Sequence, residues 1–295
     1  MTAVELDDEK LRNGLISALI AYSIWGFLPV YFKFVHAVPA LEMLAHRIVW
    51  AVPFGAAIVL FRRQFPEVRR ALAHRRTLFF LLLSAAFVSV NWFLYIVTIA
   101  RNEIFQASLG YYINPLMYVM VGVLFLGEKL RRFQAIAVVL AAIGVAVLTL
   151  SSGQFPWIAI ALAVSFTVYG VIRKQVVVGA MAGLFIETLF MAPFAIFYLV
   201  WLSRAHVAVL ATADTAMVSL LALSGPLTVL PLLFFALAAR RLPLTTLGMM
   251  QFLAPTLNFG VAVYFGETLT TAHMICFACI WVAIGLFVYD AWRRK

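Results

Sequence analysis

The chain alternates long apolar stretches with short polar connections along its whole length. Runs of about 17–25 predominantly apolar residues are long enough to cross the hydrocarbon core of a bilayer as helices. Ten such runs can be marked, at residues 13–33, 39–61, 77–99, 104–126, 133–151, 156–173, 179–202, 216–239, 243–265 and 272–290. The pattern therefore predicts an all-α integral membrane protein with ten transmembrane helices and no soluble domain.

The composition agrees with this prediction. Of the 295 residues, 65% are hydrophobic and 12% are charged, and the mean hydropathy is +1.03. A soluble protein of this size could not cover its surface with so few charged residues. The two cysteines, Cys276 and Cys279, lie within an apolar run without His or acidic neighbours at ligand spacing, so we expect them to pack there. Neither a metal nor a cofactor is predicted.

The positions of Lys and Arg predict the orientation of the helices, because cytoplasmic loops carry an excess of both. If the N-terminus is cytoplasmic, only Lys33, Arg101 and Arg204 fall in outside loops, and Arg47 lies within a span. The remaining eighteen of the 22 basic residues then lie inside. A missed span would invert every later loop, so the asymmetry supports ten spans with both termini cytoplasmic. Nucleic-acid binding is not expected, since no folded domain could present the charge.

The chain also resembles itself. Shifted by 140 residues, the segment 91–115 lies on 231–255 without a gap, and Arg101 falls on Arg241 and Pro115 on Pro255. The first five spans, residues 13–151, therefore correspond to the second five, residues 156–290. Because five is odd, the second copy would enter the membrane from the opposite face, which predicts inverted repeats. Such repeats place a binding site near the midplane between the halves.

Several stretches resemble the EamA family of the drug/metabolite transporter superfamily, over nearly the whole chain. They are Phe32-Lys33, Ala40–Arg47, Ala107–Leu116, Gly183–Thr188, Gln251–Thr256 and the pairs Gly127-Glu128 and Gly266-Glu267. The resemblance implies a multi-pass permease of the bacterial inner membrane that moves an amino acid, a metabolite or a drug. We expect the glycine–glutamate pairs to be structural, with Glu128 in an exposed ion pair with the basic residues that follow it.

Ionisable residues within the spans are functional candidates, because each costs several kcal/mol in lipid unless it is paired. Arg47 and Glu187 correspond under the 140-residue shift, and we expect them to pair across a cavity. Glu42 and His46 are four residues apart, so their side chains can meet on one helix face. They could relay a proton, since imidazole titrates near neutral pH, or simply form a structural hydrogen bond.

Polar and aromatic residues within the spans complete the predicted substrate site. The candidates for substrate binding are Trp25, Arg47, Asn91, Tyr95, Tyr112, Asn114, Tyr169, Glu187 and Gln251. Prolines at matched places in both halves are expected to break or kink their helices, because proline removes a backbone donor. They are Pro115, Pro226, Pro231 and Pro255.

The leading hypothesis is a secondary transporter of small amphipathic or zwitterionic solutes. No phosphate-cradling GxxxxGK[ST] loop is present in the sequence, which argues against ATP-driven transport by this chain. A membrane-embedded enzyme is the rival, although neither HExxH nor GxSxG occurs. A channel is the third alternative. The expected partners are a small-molecule substrate and the lipid bilayer, and the sequence leaves a homodimer open.

Overall fold

The computed structural model describes residues 3–100, 104–151, 153, 155–265 and 270–292, and this part of the chain is helical with short connections. An apolar chain in lipid must satisfy its backbone internally, and a helix does so within each segment. The helices are α1 (Ala3–Phe34), α2 (Ala40–Phe61), α3 (Phe65–Ala73), α4 (Arg75–Ala100), α5 (Ile104–Leu126), α6 (Arg132–Ser151), α7 (Trp157–Gln175), α8 (Ala180–Arg204), α9 (Thr215–Ala239), α10 (Leu244–Gln251), α11 (Leu253–Tyr264) and α12 (Thr271–Trp292).

Nine of the ten predicted spans are single helices in the described residues, each long and apolar enough to cross a membrane. The predicted span 243–265 is instead divided into α10, of 8 residues, and α11, of 12 residues. At 1.5 Å per residue these helices measure about 12 and 18 Å, so only together do they match the bilayer. The division falls at Phe252, three residues before Pro255.

The other three prolines do not break their helices, so a break is contradicted at these three positions. Pro115 lies inside α5, and Pro226 and Pro231 both lie inside α9. Each proline removes a single backbone donor, and neighbouring helices in a bundle make that loss tolerable. Pro255 differs because it is the third residue of α11, within a first turn whose N–H groups have no intrahelical partner.

Contacts between helix ends define two ends of the bundle. At the first, the start of α6 meets the end of α12 through an Arg131–Asp290 ion pair of 3.2 Å, and Glu67 accepts a hydrogen bond of 2.6 Å from the Gly179 N–H at the start of α8. We call this the basic end, because the described basic residues of the predicted cytoplasmic connections lie there. At the opposite end, the Tyr31 hydroxyl on α1 donates to the Leu220 carbonyl on α9, at 2.9 Å.

Two pairs of helices that correspond under the 140-residue shift, α2 with α8 and α6 with α12, pack against each other in an antiparallel arrangement. Glu42, near the start of α2, accepts a hydrogen bond from Val209 after α8, whereas the α2–α4 connection contacts the start of α8 through Glu67. The start of α6 likewise contacts the end of α12. Along the α6–α12 contact, Gly144 lies against both cysteines of α12, as expected for packing residues.

Two close helix approaches shape the centre of the bundle. A Cβ at Gly26 of α1 would lie 2.6 Å from the side chain of Leu257 on α11, so only glycine lets these helices approach so closely. Gly248 of α10 does the same against α5, where a Cβ would lie 2.5 Å from the Pro115 carbonyl oxygen. Both contacts join the first half of the chain to the second. They bring the broken ninth span against the helices that line the cavity described next.

Candidate functional site

A cavity of about 740 Å³ lies among α1, α2, α4, α5, α7 and the broken span α10–α11. Its deep wall includes the buried Tyr22, Asn114 and Gln251. Its lining also includes exposed residues of the α1–α2 connection, such as His36 and Ala37. The cavity therefore extends from the interior to the end opposite the basic end, and we call its exposed part the mouth.

Seven of the predicted site residues line this cavity, and they come from both halves of the chain. They are Trp25, Arg47, Asn91, Tyr95, Asn114, Gln251 and Pro255. Five of the seven lie on α1, α2, α4 and α5, and they meet because these helices surround the same space. The structure therefore brings these seven residues together around one cavity.

Arg47 is the charged residue of the cavity's inner wall. Its Nε–H donates to the Thr228 hydroxyl at 3.0 Å, and the same hydroxyl donates to the Ser224 carbonyl at 2.8 Å. The guanidinium carbon lies 5.4 Å from the Trp92 ring centroid and 5.9 Å from that of Phe32, within cation–π range. The guanidinium is therefore held in a fixed orientation by α9 and by aromatic rings.

The aromatic walls are built from paired rings. Trp25 and Phe166 meet edge to face with centroids 5.7 Å apart, and Tyr95 and Tyr111 do so at 5.9 Å. These distances suit aromatic pairs. Together with Trp92 they give the cavity flat apolar surfaces.

Amide side chains supply hydrogen-bond acceptors. The Asn114 amide nitrogen donates to the Ala163 carbonyl at 2.8 Å and to the Thr167 hydroxyl at 3.0 Å. A carbonyl can only accept, so the orientation of this amide is determined and its oxygen remains free. The buried side-chain oxygens of Asn114, Gln251 and Asn258 have no partner among the described residues, and all three residues line the cavity.

Two predicted aromatic residues lie elsewhere. Tyr112 packs against Phe277 of α12, with ring centroids 5.6 Å apart, and Tyr169 is fully buried and stacks on Phe235 at 5.9 Å. Successive helical residues point about 100° apart, so Tyr111 faces the cavity where Tyr112 faces α12. Helical spacing favours Tyr111 over Tyr112 as a cavity residue, because Tyr111 lies three residues before Asn114 and therefore shares its helix face.

The predicted Arg47–Glu187 pair is wrong. Glu187 pairs instead with Arg173 at 3.3 Å, both side chains are fully buried, and Glu187 does not line the cavity. Gly55 of α2 lies against Met181 and Phe185 of α8, which sets the register of this antiparallel pair. In that register Glu187 is displaced from Arg47 along the helix axis by about one turn, or roughly 6 Å. Residues that correspond under the shift lie at equal distances from the starts of their helices. In an antiparallel pair the two starts lie at opposite ends of the bundle, so corresponding residues need not lie at the same depth.

Glu42 and His46 do meet as their spacing predicted, with 3.8 Å between Oε1 and Nε2. Both are buried, and neither lines the cavity. Glu42 Oε1 also accepts a 2.8 Å hydrogen bond from the Val209 N–H, which ties α2 to the connection after α8. The pair is therefore placed beside the mouth-end connections, away from the cavity wall.

Some lining residues were not among the predicted site residues. Besides Tyr111, they include Lys33 and His36 at the mouth and Asn258 on α11. The Lys33 ammonium lies 3.3 Å from the Phe265 ring centroid, which joins the ends of α1 and α11. For Lys33 and His36 the only signal in the sequence is their place in a predicted outside loop.

An aromatic plug closes the cavity towards the basic end. It consists of Tyr22, Tyr118, Tyr169 and Phe235, all fully buried and contributed by α1, α5, α7 and α9. Their ring centroids lie 5.9–6.4 Å apart in the pairs that contact Phe235. Tyr22 forms the floor of the cavity, and its hydroxyl donates to the Leu247 carbonyl at 3.2 Å.

Polar contacts reinforce this closure beneath the plug. Glu128 accepts hydrogen bonds from the Leu244 and Thr245 N–H groups at 2.7 and 2.9 Å, so a residue of the first half caps α10 in the second. Lys174 donates to the carbonyls of Ala239 and Leu242. Glu128 is thus a helix cap, and the expected exposed ion pair with the following basic residues is wrong. Its counterpart Glu267 lies outside the described residues.

Comparison with known proteins identifies relatives over nearly the whole chain. The model of the EamA-like transporter family matches residues 12–150, which coincide with the first predicted repeat. Protein RarD of Salmonella typhimurium is 42% identical, covering 97% of this chain and 98% of the relative. An uncharacterized transporter of Vibrio cholerae is 44% identical, covering 96% and 94%.

Two further comparisons extend this picture. The chloramphenicol-sensitive protein RarD of Pseudomonas aeruginosa is 31% identical, covering 95% of each chain. A solved crystal structure of a protein 20% identical to this chain has a TM-score of 0.73 and covers 95% of this chain and 97% of its own, which shows a shared fold. In the described residues, no cluster of three potential metal ligands is present.

Proposed function

This chain belongs to the EamA-like transporter family and is a multi-pass protein of the bacterial inner membrane, and on that premise we propose that it is a secondary-active transporter working by alternating access. Its cargo would be a small organic solute, such as an amino acid, a metabolite or a drug. The family and the transporter names of its relatives support transport over membrane-embedded enzymology.

The proposed moving parts are the two halves, residues 13–151 and 156–290, as inverted repeats with both termini in the cytoplasm. The antiparallel packing of α2 on α8 and of α6 on α12 supports the inversion, since each pair corresponds under the 140-residue shift. The cavity is lined by both halves, which is where inverted-repeat transporters hold their substrates.

The observation that carries this proposal is the asymmetry of the cavity. It extends to the mouth at one end, and the aromatic plug and the Glu128 cap close it at the other. With the basic end cytoplasmic, this arrangement corresponds to an outward-open state. The cap links residues of opposite halves, so releasing it and closing the mouth would expose the same cavity to the cytoplasm.

Glu42 and His46 are the proposed coupling residues, because they form a buried ionisable pair beside the mouth-end connections. If they relay a proton, His46→Gln should uncouple uphill transport from the pH gradient and leave exchange of bound substrate intact. An unchanged pH dependence in that variant would assign the pair to structure.

Counterflow in proteoliposomes tests the transport proposal. A metabolite screen should find a solute whose labelled form accumulates against an unlabelled internal pool and whose rate saturates with concentration. A rate that rises linearly would indicate a channel, and chemical conversion of the solute would indicate an enzyme. Empty liposomes and the oxidised Gly122→Cys/Leu244→Cys variant, in which a disulfide would join α5 to α10, provide the controls.

A further inference from the structure

The charges around the cavity are one-sided. Arg47 lies on its inner wall, and Lys33 lies at its mouth. Among the described residues that line the cavity, none is Asp or Glu. A cationic solute would therefore meet repulsion without a counter-charge, whereas an anion would be attracted along the whole path from the mouth.

Arg47 has unused binding capacity. Only its Nε–H is hydrogen-bonded in the described part of the chain, to Thr228, and it has no carboxylate partner there. A partly buried guanidinium without a counter-ion is costly in a membrane protein, and such residues mark binding sites. The planar group can donate two parallel hydrogen bonds to a carboxylate. The Thr228 contact holds Nε while the two terminal nitrogens stay available.

The surroundings of Arg47 limit the rest of the ligand. Arg47 is the one permanent cation on the inner wall among the described lining residues, so a single negative charge is matched and a phosphate dianion is not. The rings of Trp25, Phe166 and Trp92 offer flat surfaces for an aromatic group. The free amide oxygens of Asn114 and Gln251 can accept hydrogen bonds from a nitrogen.

We propose that the substrate is an aromatic monocarboxylate that also carries an N–H donor, with Arg47 binding its carboxylate and the amide oxygens of Asn114 and Gln251 receiving the donor. This inference deepens the proposed transport function and rests on it. The cavity volume of about 740 Å³ accommodates such a molecule with room for water.

A series of compounds that share a phenyl ring tests each part of the proposal. L-phenylalanine carries both groups, 3-phenylpropionate carries only the carboxylate, and phenethylamine carries only the ammonium group. Calorimetric titration of the purified protein should show the tightest binding for phenylalanine, weaker binding for phenylpropionate and the weakest for phenethylamine. Phenethylamine binding as tightly as either carboxylate, or no binding of either carboxylate, would overturn the inference.

Variants of Arg47 locate the carboxylate. A hydrogen bond to a charged group contributes about 1.5–3 kcal/mol, so Arg47→Gln should weaken phenylalanine binding about 10- to 100-fold. Arg47→Lys keeps the charge without the paired donors and should lose less. Arg204→Gln removes an exposed arginine that does not line the cavity, and should bind phenylalanine as the wild type does. Equal affinity in Arg47→Gln and the wild type would overturn the assignment.

Counterflow of the same compounds separates this inference from the proposed function. If the carboxylates bind but show no counterflow, the inferred binding site is supported and the proposed transport function is contradicted. Counterflow of phenethylamine in preference to the carboxylates would keep transport and contradict the inference. If Arg47→Gln does not fold, as judged by size-exclusion profile and melting temperature, the affinity of Arg47→Lys for phenylalanine is compared with that of the wild type instead.

Discussion

Neutralising Glu128 should open the basic end of the transporter. Its carboxylate accepts two backbone hydrogen bonds at the start of α10, from Leu244 at 2.7 Å and Thr245 at 2.9 Å. Such charged hydrogen bonds contribute about 1.5–3 kcal/mol each, and the helix dipole adds to their strength. Glu128→Gln keeps one acceptor oxygen and loses the charge. We expect a loss of about 2 kcal/mol, which corresponds to roughly a 30-fold shift away from the closed basic end.

Cysteine labelling at both ends measures this shift. In a background with both native cysteines replaced by serine, Ala239→Cys reports on the basic end, where Ala239 is fully buried. Ala37→Cys reports on the exposed mouth. Glu128→Gln should raise the labelling rate of the first reporter and lower that of the second, because one population replaces the other. Unchanged rates, or faster labelling at both ends, would refute the reasoning.

Asp214→Asn provides the matched control. Asp214 also caps a helix, accepting a 2.8 Å hydrogen bond from the Met217 N–H, but both residues belong to the start of α9 and the contact is exposed. The cap is local and joins no second part of the chain. We therefore expect this variant to leave both labelling rates as in the wild type.

Three other outcomes are expected. Arg173→Ala or Glu187→Ala alone should destabilise the protein by about 3–5 kcal/mol, because each leaves an unpaired buried charge. Replacing both residues by methionine should cost much less stability. Similar melting temperatures for the single and double variants would contradict the ion pair. Tyr111→Leu should raise the KM for transport, whereas Tyr112→Leu should mainly lower the melting temperature; the reverse pattern would contradict the assigned faces. A reporter fused after Lys295 should read cytoplasmic and one between the fifth and sixth spans external, and both on one side would refute the topology.

The hydrophobic pattern predicted the helices well because the length of an apolar run is set by the bilayer and is local in sequence. It also selected seven residues that line the cavity, since polar residues within spans are rarely tolerated unless they serve a site. The pattern did not predict the division of the ninth span at Phe252, because Pro115 and Pro255 occupy equivalent places in the sequence. In the structure Pro115 lies in the interior of α5, whereas Pro255 lies in the first turn of α11.

The errors concerned partners rather than positions. Arg173 is one of the eighteen basic residues that the orientation analysis places inside, yet it is fully buried and forms the ion pair with Glu187. The sequence predicts an ion pair of Glu128 with its basic neighbours, although its partners are more than a hundred residues away, at Leu244 and Thr245. Helical spacing gives contacts on one helix only, so pairings between helices needed the packed structure.

A reversible cross-link at the basic end tests the alternating-access account most directly. A Cβ at Gly122 would lie 3.3 Å from that of Leu244, close to the spacing of a disulfide, so Gly122→Cys with Leu244→Cys can join α5 to α10. The same Cβ would lie 2.7 Å from Glu128 Oε2, so the carboxylate must shift aside, and the reduced double variant is the reference for the oxidised one. In the same serine background, oxidation should abolish counterflow of an accepted solute, and reduction should restore it. Each single cysteine variant should be insensitive to oxidation. Full counterflow with the disulfide demonstrably formed would contradict the account.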